Sequence, residues 1–433
     1  MLHILWDDSH IWGLLAARAV RAMEIPHRLT RGAEIARGLF LHERPCLLLV
    51  PGGNARRKAT ALGTAGIAAI RDYMQSGGRY IGFCGGAGIA LTSGEQSSNL
   101  AICPWRRAPF DYRLQHFMSG HLHTALSSRA SLFLTQPPRQ TASEKGSAPS
   151  SSLIPAGMPA SPLLPVWWPG CFAPENNGDI QVLASYERPG KDFWLADLAI
   201  ADLPDDIFAS WREIYGLSLT PAFLTGQPCI IHGRYGKGQY LLSYSHLETP
   251  DSPHANLWLA HLLRVLGDFS PVCEHIPPWQ PRADAFLWED PDMEALSRMF
   301  EEVLHTGLKH GLLFYRTDWL VGWRTGIPGA NLNNIWADLN SIRSLIPTNA
   351  AKAYWDEQRE RIISVAGMLH KGCVQYLLAE RLSMTLGDPP PSLVPAAALK
   401  KQREALFGPA MRSGGPYQTL IDLLDNLARL QLS

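Results

Sequence analysis

The chain has 433 residues, 46% hydrophobic and only 18% charged, enough apolar surface for two cores. Lys plus Arg and Asp plus Glu number 39 each, so no net field favours nucleic acid or an anionic membrane. Seven cysteines are scattered with no CxxC pair, which argues against a disulfide framework or a zinc site.

Met1–Asp8 lacks the basic region and apolar core of a leader, and no window approaches about 20 uninterrupted apolar residues. The expectation is a cytoplasmic protein with no membrane span, in a compartment where a free thiol persists. Leu2–Trp6 reads as a strand, Ile11–Met23 as an amphipathic helix and His27–Thr30 as a second strand. Cys46–Val50 is a third strand that stops at Pro51-Gly52-Gly53. Thr64–Gln75 carries helical spacing, Ser76-Gly77-Gly78 ends it, and Tyr80–Phe83 is a fourth strand. Strand-helix-strand alternation with short turns predicts an α/β fold, a mostly parallel sheet sandwiched by helices.

Between about 127 and 165 the composition turns Pro- and Ser-rich, as in Gln136–Gln140 and Ser147–Ser152, and predicts a mobile insertion. Strands resume at Val166–Trp168, Ile180–Tyr186, Cys229–Tyr235 and Gln239–Ser245, the last two joined by a Gly236-Lys237-Gly238 hairpin. The expected boundary lies at 266/267. Beyond it, Met293–His310, Asn331–Leu345, Ala350–Leu386 and Tyr417–Leu430 predict a mainly helical region over 267–433. Its apolar stripes, Ile362 to Leu377 and Leu420 to Leu430, read as core packing. The helical region is a candidate surface for a protein partner or self-association.

Tyr80-Ile81-Gly82-Phe83-Cys84-Gly85-Gly86 places a cysteine among glycines between a strand and a helix-like segment. That is the form of a nucleophile elbow, whose helix N-terminus lowers a thiol pKa. A nucleophile needs a base, and the base needs an orienting acid. Ser245-His246-Leu247-Glu248 supplies both at the end of an apolar strand. Amides at Gly53 and Gly85 are the candidate oxyanion hole. Asp8, Gly52 and Trp168 are candidate substrate-binding residues.

Other polar features read more plainly. His121 and His123 would share a strand face with His116 nearby but no clear third ligand, so no metal is expected. Asp7 or Asp8 reads as the cap of the helix starting at Ile11. Of Trp167 and Trp168, one is expected inward. Arg56-Arg57-Lys58 and Trp105-Arg106-Arg107 read as solvated faces. The glycine-rich elbow lacks G-x-x-x-x-G-K-[ST], and no cofactor is called for.

Taken in order, Pro51-Gly52-Gly53, Gly77-Gly78-Arg79-Tyr80, Gly82-Phe83-Cys84-Gly85-Gly86, Pro165-Val166-Trp167-Trp168-Pro169-Gly170, Leu183-Ala184-Ser185-Tyr186, Gly236-Lys237-Gly238 and His246-Leu247-Glu248 form a set. It resembles the class I glutamine amidotransferase-like superfamily and, within it, the biotin–protein ligase N-terminal-domain family, over about 1–266. The resemblance implies a flavodoxin-like α/β domain with Cys84 as nucleophile, His246 as base and Glu248 as its orienter. Gly53 and Gly85 would form the oxyanion hole. It further implies an amidotransferase-like or amide-hydrolase activity on a small amide or acyl substrate. No GRGRxGR-like loop and no KWPND-like strand follows, so biotin ligase activity is not supported. The alternatives are a catalytically inactive binding or scaffold module of the same fold, and a cysteine hydrolase of a non-glutamine substrate.

Overall fold

The computed structural model describes residues 1–92, 99–109, 116–127, 152–176, 179–216, 220–323, 329–386, 396–409 and 413–433. The chain divides into two compact units, Met1–Pro278 and Trp279–Ser433.

In the first unit, β1 (Leu2–Leu5), α1 (Ile11–Ala22), β2 (His27–Thr30), α2 (Gly32–Ala36), α3 (Leu39–His42), β3 (Leu47–Val50), α4 (Ala55–Gln75) and β4 (Arg79–Phe83) alternate along the chain. The short helix α5 (Gly85–Ala90) starts one residue after β4. Next come β5 (Arg106–Arg107), β6 (Met118–Leu126), β7 (Leu163–Trp167), β8 (Phe172–Ala173), β9 (Gln181–Pro189), β10 (Trp194–Leu195), β11 (Leu198–Ala199) and α6 (Ile207–Tyr215). The hairpin β12 (Pro228–Tyr235) and β13 (Gly238–Ser243) leads to α7 (Pro253–Gly267).

One mixed sheet organises the unit. Strands β2-β1-β3-β4-β13 are parallel, and β12, β9, β6, β10 and β11 extend it with antiparallel pairings. β7 also pairs with β6, while β5 and β8 form a separate ribbon. The chain leaves β1 for β2 on one side and continues to β3 and β4 on the other. Such a reversal opens a crevice at the strand carboxyl ends. The turns after β1, β3, β4 and β13 all emerge there.

The inner parallel strands β1, β3, β4 and β13 are buried on both faces, as crossover helices require. Leu48, Val50, Tyr80 and Leu242 join one core with Ile67, Ile70 and Met74 of α4. Leu47, Leu49, Ile81, Phe83 and Leu241 point the other way and are equally buried. Each such side chain contributes about 1.5–3 kcal/mol, so the crevice rests on a rigid base.

The Pro/Ser-rich stretch at 136–151 lies outside the described residues. From Ser152 onward the expected insertion is part of the unit. The Trp258 indole donates to the Leu153 carbonyl at 2.9 Å and His261 meets the Ser152 carbonyl at 2.6 Å. Leu163–Pro165 is strand rather than loop, paired with His123–His121 of β6. Composition hid that strand because two of its residues sit beside prolines.

The second unit comprises α8 (Pro291–Lys309), a hairpin of β14 (Leu313–Thr317) and β15 (Leu320–Trp323), α9 (Gly329–Arg343), α10 (Asn349–Leu386), α11 (Ala396–Phe407) and α12 (Gly415–Leu432), with α8 packed on β14 and α9 on β15. α12 packs on α9, α10 and α11. α10 has an 18-residue window of mean hydropathy 1.3. Its stripe of Ala351, Trp355, Ile362, Ala366, Leu369, Cys373, Tyr376 and Leu377 is buried, while Met368, Leu378, Leu382, Met384 and Leu386 of the same helix are exposed. Asp290 caps α8 by accepting from the Asp292 and Met293 amides, and also accepts from the Trp355 indole.

Asp338 on α9 is fully buried and neither of its carboxyl oxygens has a hydrogen-bond partner. Burial, with Asp425 of α12 adding repulsion, holds its pKa well above the ordinary 3.8. A raised folded-state pKa means stability that is full below the unfolded value and falls as pH climbs. Asp338→Asn is therefore expected to raise the unfolding temperature at pH 8, by about 2–4 °C per kcal/mol relieved, and to leave it nearly unchanged at pH 4. Equal shifts at both pH values in thermal melts would refute this.

Candidate functional site

Cys84 stands between β4 and α5 with φ 47° and ψ −104°, a conformation that costs a non-glycine residue of order 1–3 kcal/mol. The surroundings enforce it. The Cys84 amide donates to the Ser243 carbonyl of β13 at 2.8 Å, and the Cys84 carbonyl accepts from Gly88 at 2.8 Å. A Cβ on Gly82 would fall 2.6 Å from the Gly86 carbonyl oxygen, and one on Gly86 would fall 1.9 Å from that of Val50. The elbow closes because both positions are glycine.

His246 follows β13 and is anchored by its amide, which donates to the Pro165 carbonyl of β7 at 2.9 Å. Its Nδ1 donates to Glu248 Oε1 at 2.7 Å, with both side chains fully buried. Nε2 has no hydrogen bond in this structure, yet the imidazole lies close enough to Cys84 for each to shift the other. The imidazole and the thiol are immediate neighbours.

The electrostatics favour a thiolate–imidazolium pair. Burial disfavours the imidazolium, but Glu248 and Cys84 outweigh it and raise His246 from 6.5 to about 10. At Cys84 burial again opposes ionisation. His246, helped by Arg107, overcomes both burial and Glu248 and holds the thiol below its ordinary 9.0. The shifts belong to the pair, and both directions favour the thiolate–imidazolium form over the neutral one.

Gly52 and Gly53 end β3 against the elbow. Gly53 has φ 111°, and a Cβ there would sit 1.9 Å from the Asp8 carbonyl oxygen. A Cβ on Gly85 would lie 2.0 Å from the Gly53 carbonyl oxygen, so the two turns touch backbone to backbone. The Gly53 amide has no acceptor among the described residues. That of Gly85, first in α5, has none within its helix. The Gly53 and Gly85 backbones are thus brought together beside the elbow.

Trp12 of α1 was not singled out from the sequence. Its indole lies 4.4 Å from the His246 ring, centroid to centroid, and Trp168 meets Trp12 edge-on at 5.7 Å. A Cβ on Gly52 would come within 2.8 Å of Trp12 Cγ and 3.0 Å of His246 Cε1. An aromatic face against an imidazolium adds about 0.5–2 kcal/mol of attraction. The sequence signal was faint, a tryptophan in the first turn after a strand that ends in Asp7-Asp8. Trp167 is the inward member of its pair, buried with its indole donating to Thr249 Oγ1 at 3.1 Å. Trp168 is half-buried with φ 60°. Together with Asp8, His10 and Cys84, all at positive φ, it concentrates backbone strain around the crevice.

Asp8 faces the crevice through its backbone, while its carboxylate pairs with Arg57. Neither Asp7 nor Asp8 caps α1, whose first residue follows His10 without a side-chain cap. Asp7 instead accepts from the Gly32 amide at the start of α2, at 2.6 Å. The basic run is not a solvated face either: only Arg56 is exposed. Lys58 is fully buried, donating to the Asp7 carbonyl at 2.8 Å and to Ser9 Oγ. The reason is that α4 starts nine residues before the expected Thr64, capped by Asn54, so these residues form its first turn against the end of β1.

His121 and His123 share a face of β6 but turn to different partners. His121 bridges Asp192 at 2.7 Å and Ser252 at 2.8 Å, while Ser161 holds His123 through its carbonyl at 3.3 Å. No group of three metal-binding side chains forms among the described residues. Ser252, His121 and Asp192 have the spacing of a serine triad. Ser252 is 2% exposed, however, and Pro253 removes the amide that would follow a nucleophile, so the three act as a clamp on the start of α7.

Residues 42–96 match the family model described as biotin-protein ligase, N terminal. That span contains β3, Gly52, Gly53, α4, β4, Cys84 and α5. Among solved structures, one described as a thua-like protein from Bacteroides uniformis is 11% identical, with a TM-score of 0.36, over 61% of this chain and 89% of that one. No curated protein matches the chain.

Proposed function

We propose that the first unit is a cysteine-dependent amidase or amidotransferase of the class I amidotransferase-like kind, with Cys84, His246 and Glu248 as its triad. The observation that carries this is the buried His246–Glu248 bond at 2.7 Å beside a strained elbow cysteine whose pKa is lowered by that same imidazole.

In this reaction the Cys84 thiolate attacks an amide carbon, forming a C–S bond as the carbonyl electrons move to oxygen. The Gly53 and Gly85 amides stabilise that oxyanion, each donor being worth roughly 3 kcal/mol. Collapse breaks the C–N bond, and the amine leaves with the proton from His246 Nε2. The thioester then reacts with water or an amine, which gives its proton to His246 as it attacks, and the thiolate is released. Trp12 and Trp168 wall the acyl group.

Incubation with a glutamine-mimicking electrophile, read by intact and peptide mass, tests the proposal. One adduct on Cys84, lost in Cys84→Ala, is expected. Labelling by generic electrophiles alone would favour a hydrolase of another substrate. An unreactive Cys84 would leave a silent binding module.

A further inference from the structure

We infer that Asn256 of α7 is a positioning residue for the His246–Glu248 dyad, an inference that rests on the triad proposed above. Asn256 is fully buried in the first turns of α7. A buried carboxamide is tolerated only where its donors and acceptor are matched. Here its Nδ2 donates to the Leu247 carbonyl at 3.2 Å and to the Thr249 carbonyl at 2.8 Å. These are the residues on either side of Glu248. One side chain therefore fixes the chain both before and after the orienting acid.

The other end of the carboxamide completes the clamp. Oδ1 accepts from the Ile276 amide at 3.1 Å, and the Ile276 carbonyl accepts from the Asp251 amide at 2.9 Å. The segment after α7 thus returns to close the loop that carries His246 and Glu248. Leu247 and Thr249 are buried as well, so their carbonyls have no ready substitute in water. The Trp167–Thr249 bond engages only the threonine hydroxyl. It cannot replace either carbonyl contact.

Without Asn256, the Glu248 carboxylate is expected to leave Nδ1 of His246. The thiol then loses the imidazolium that holds it ionised. A misplacement of about 1 Å in such machinery costs up to about a hundredfold.

The test follows the pH dependence of Cys84 alkylation by iodoacetamide, resolved by peptide mass, in the full chain. Asn256→Asp, which keeps an acceptor but loses both donors, and Asn256→Ser are each compared alone and with Glu248→Gln. Both are expected to move the profile to higher pH and slow alkylation at pH 7 by about tenfold or more. In the Glu248→Gln background neither should slow it further, because Asn256 acts through that residue. A wild-type profile in the Asn256 variants, or effects that multiply in the double variants, would overturn the inference alone. An ordinary profile in the unmodified chain would overturn the triad and this inference with it. Hydrogen exchange on the unmodified chain supplies an arm independent of variant folding. Residues 246–252 should be protected as strongly as α7, and rapid exchange there would also overturn the clamp.

Discussion

Glu248→Gln is expected to slow iodoacetamide alkylation of Cys84 at pH 7 by about tenfold or more, with near-native thermal stability. Glutamine keeps an oxygen to accept from His246 Nδ1, so the 2.7 Å bond can persist, but the charge is gone. Two effects on the thiol then oppose each other. Glu248 itself repels the thiolate, so removing it directly would favour ionisation. It also does most to raise the His246 pKa against burial, and His246 acts on Cys84 more strongly than Glu248 does. The indirect loss therefore wins. Without the carboxylate, burial returns the imidazole to its neutral form, and each pKa unit regained by the thiol is worth about tenfold in thiolate. The alkylation profile should shift up in pH, and an unshifted profile would remove Glu248 from the site.

Gly86→Ala is expected to destabilise the first unit and abolish Cys84 reactivity together. Taken alone, alanine in a helix gains about 1 kcal/mol over glycine, and Gly86 lies in α5. The new methyl would sit 1.9 Å from the Val50 carbonyl oxygen and about 3.0 Å from that of Pro51. Those are backbone atoms of the last residue of β3 and of the turn that follows it, which cannot rotate aside. Overpacking of this kind costs roughly 1–3 kcal/mol or more, and here it also forces the elbow away from the Gly52-Gly53 turn. Thermal melts should show a loss of several degrees. An unchanged melting point with intact reactivity would mean that the two turns need not touch.

Much of this arrangement is legible in the residues. Apolar runs ending in Asp7-Asp8, Pro51-Gly52-Gly53, Cys84 and His246 mark four strand ends, and parallel strands bring their ends together. The glycines at 53, 85 and 86 are where the β3 turn and the elbow meet backbone to backbone. What escapes is set by contacts between distant segments. Trp12 looks like one more apolar residue of α1, and only its stacking on His246 makes it part of the site. Lys58 reads as solvated because nothing local reveals that Asn54 starts α4 early. Pro253–Gly267 gives way to Asn256, a polar residue in an apolar helix, whose purpose appears only when Leu247, Thr249 and Ile276 converge on it. β14 and β15 are short and sit between strongly helical patterns, which mask them.

Cys84 is expected to be held as a thiolate by the buried His246 imidazolium. Below its lowered pKa the thiol is protonated, and the imidazolium persists until pH rises through about 10. The most direct test is the pH profile of Cys84 alkylation in the unmodified protein, followed by peptide mass. A midpoint clearly below the ordinary 9.0, lost in His246→Gln, is the predicted result. A midpoint at or above that value, indifferent to His246, would contradict it.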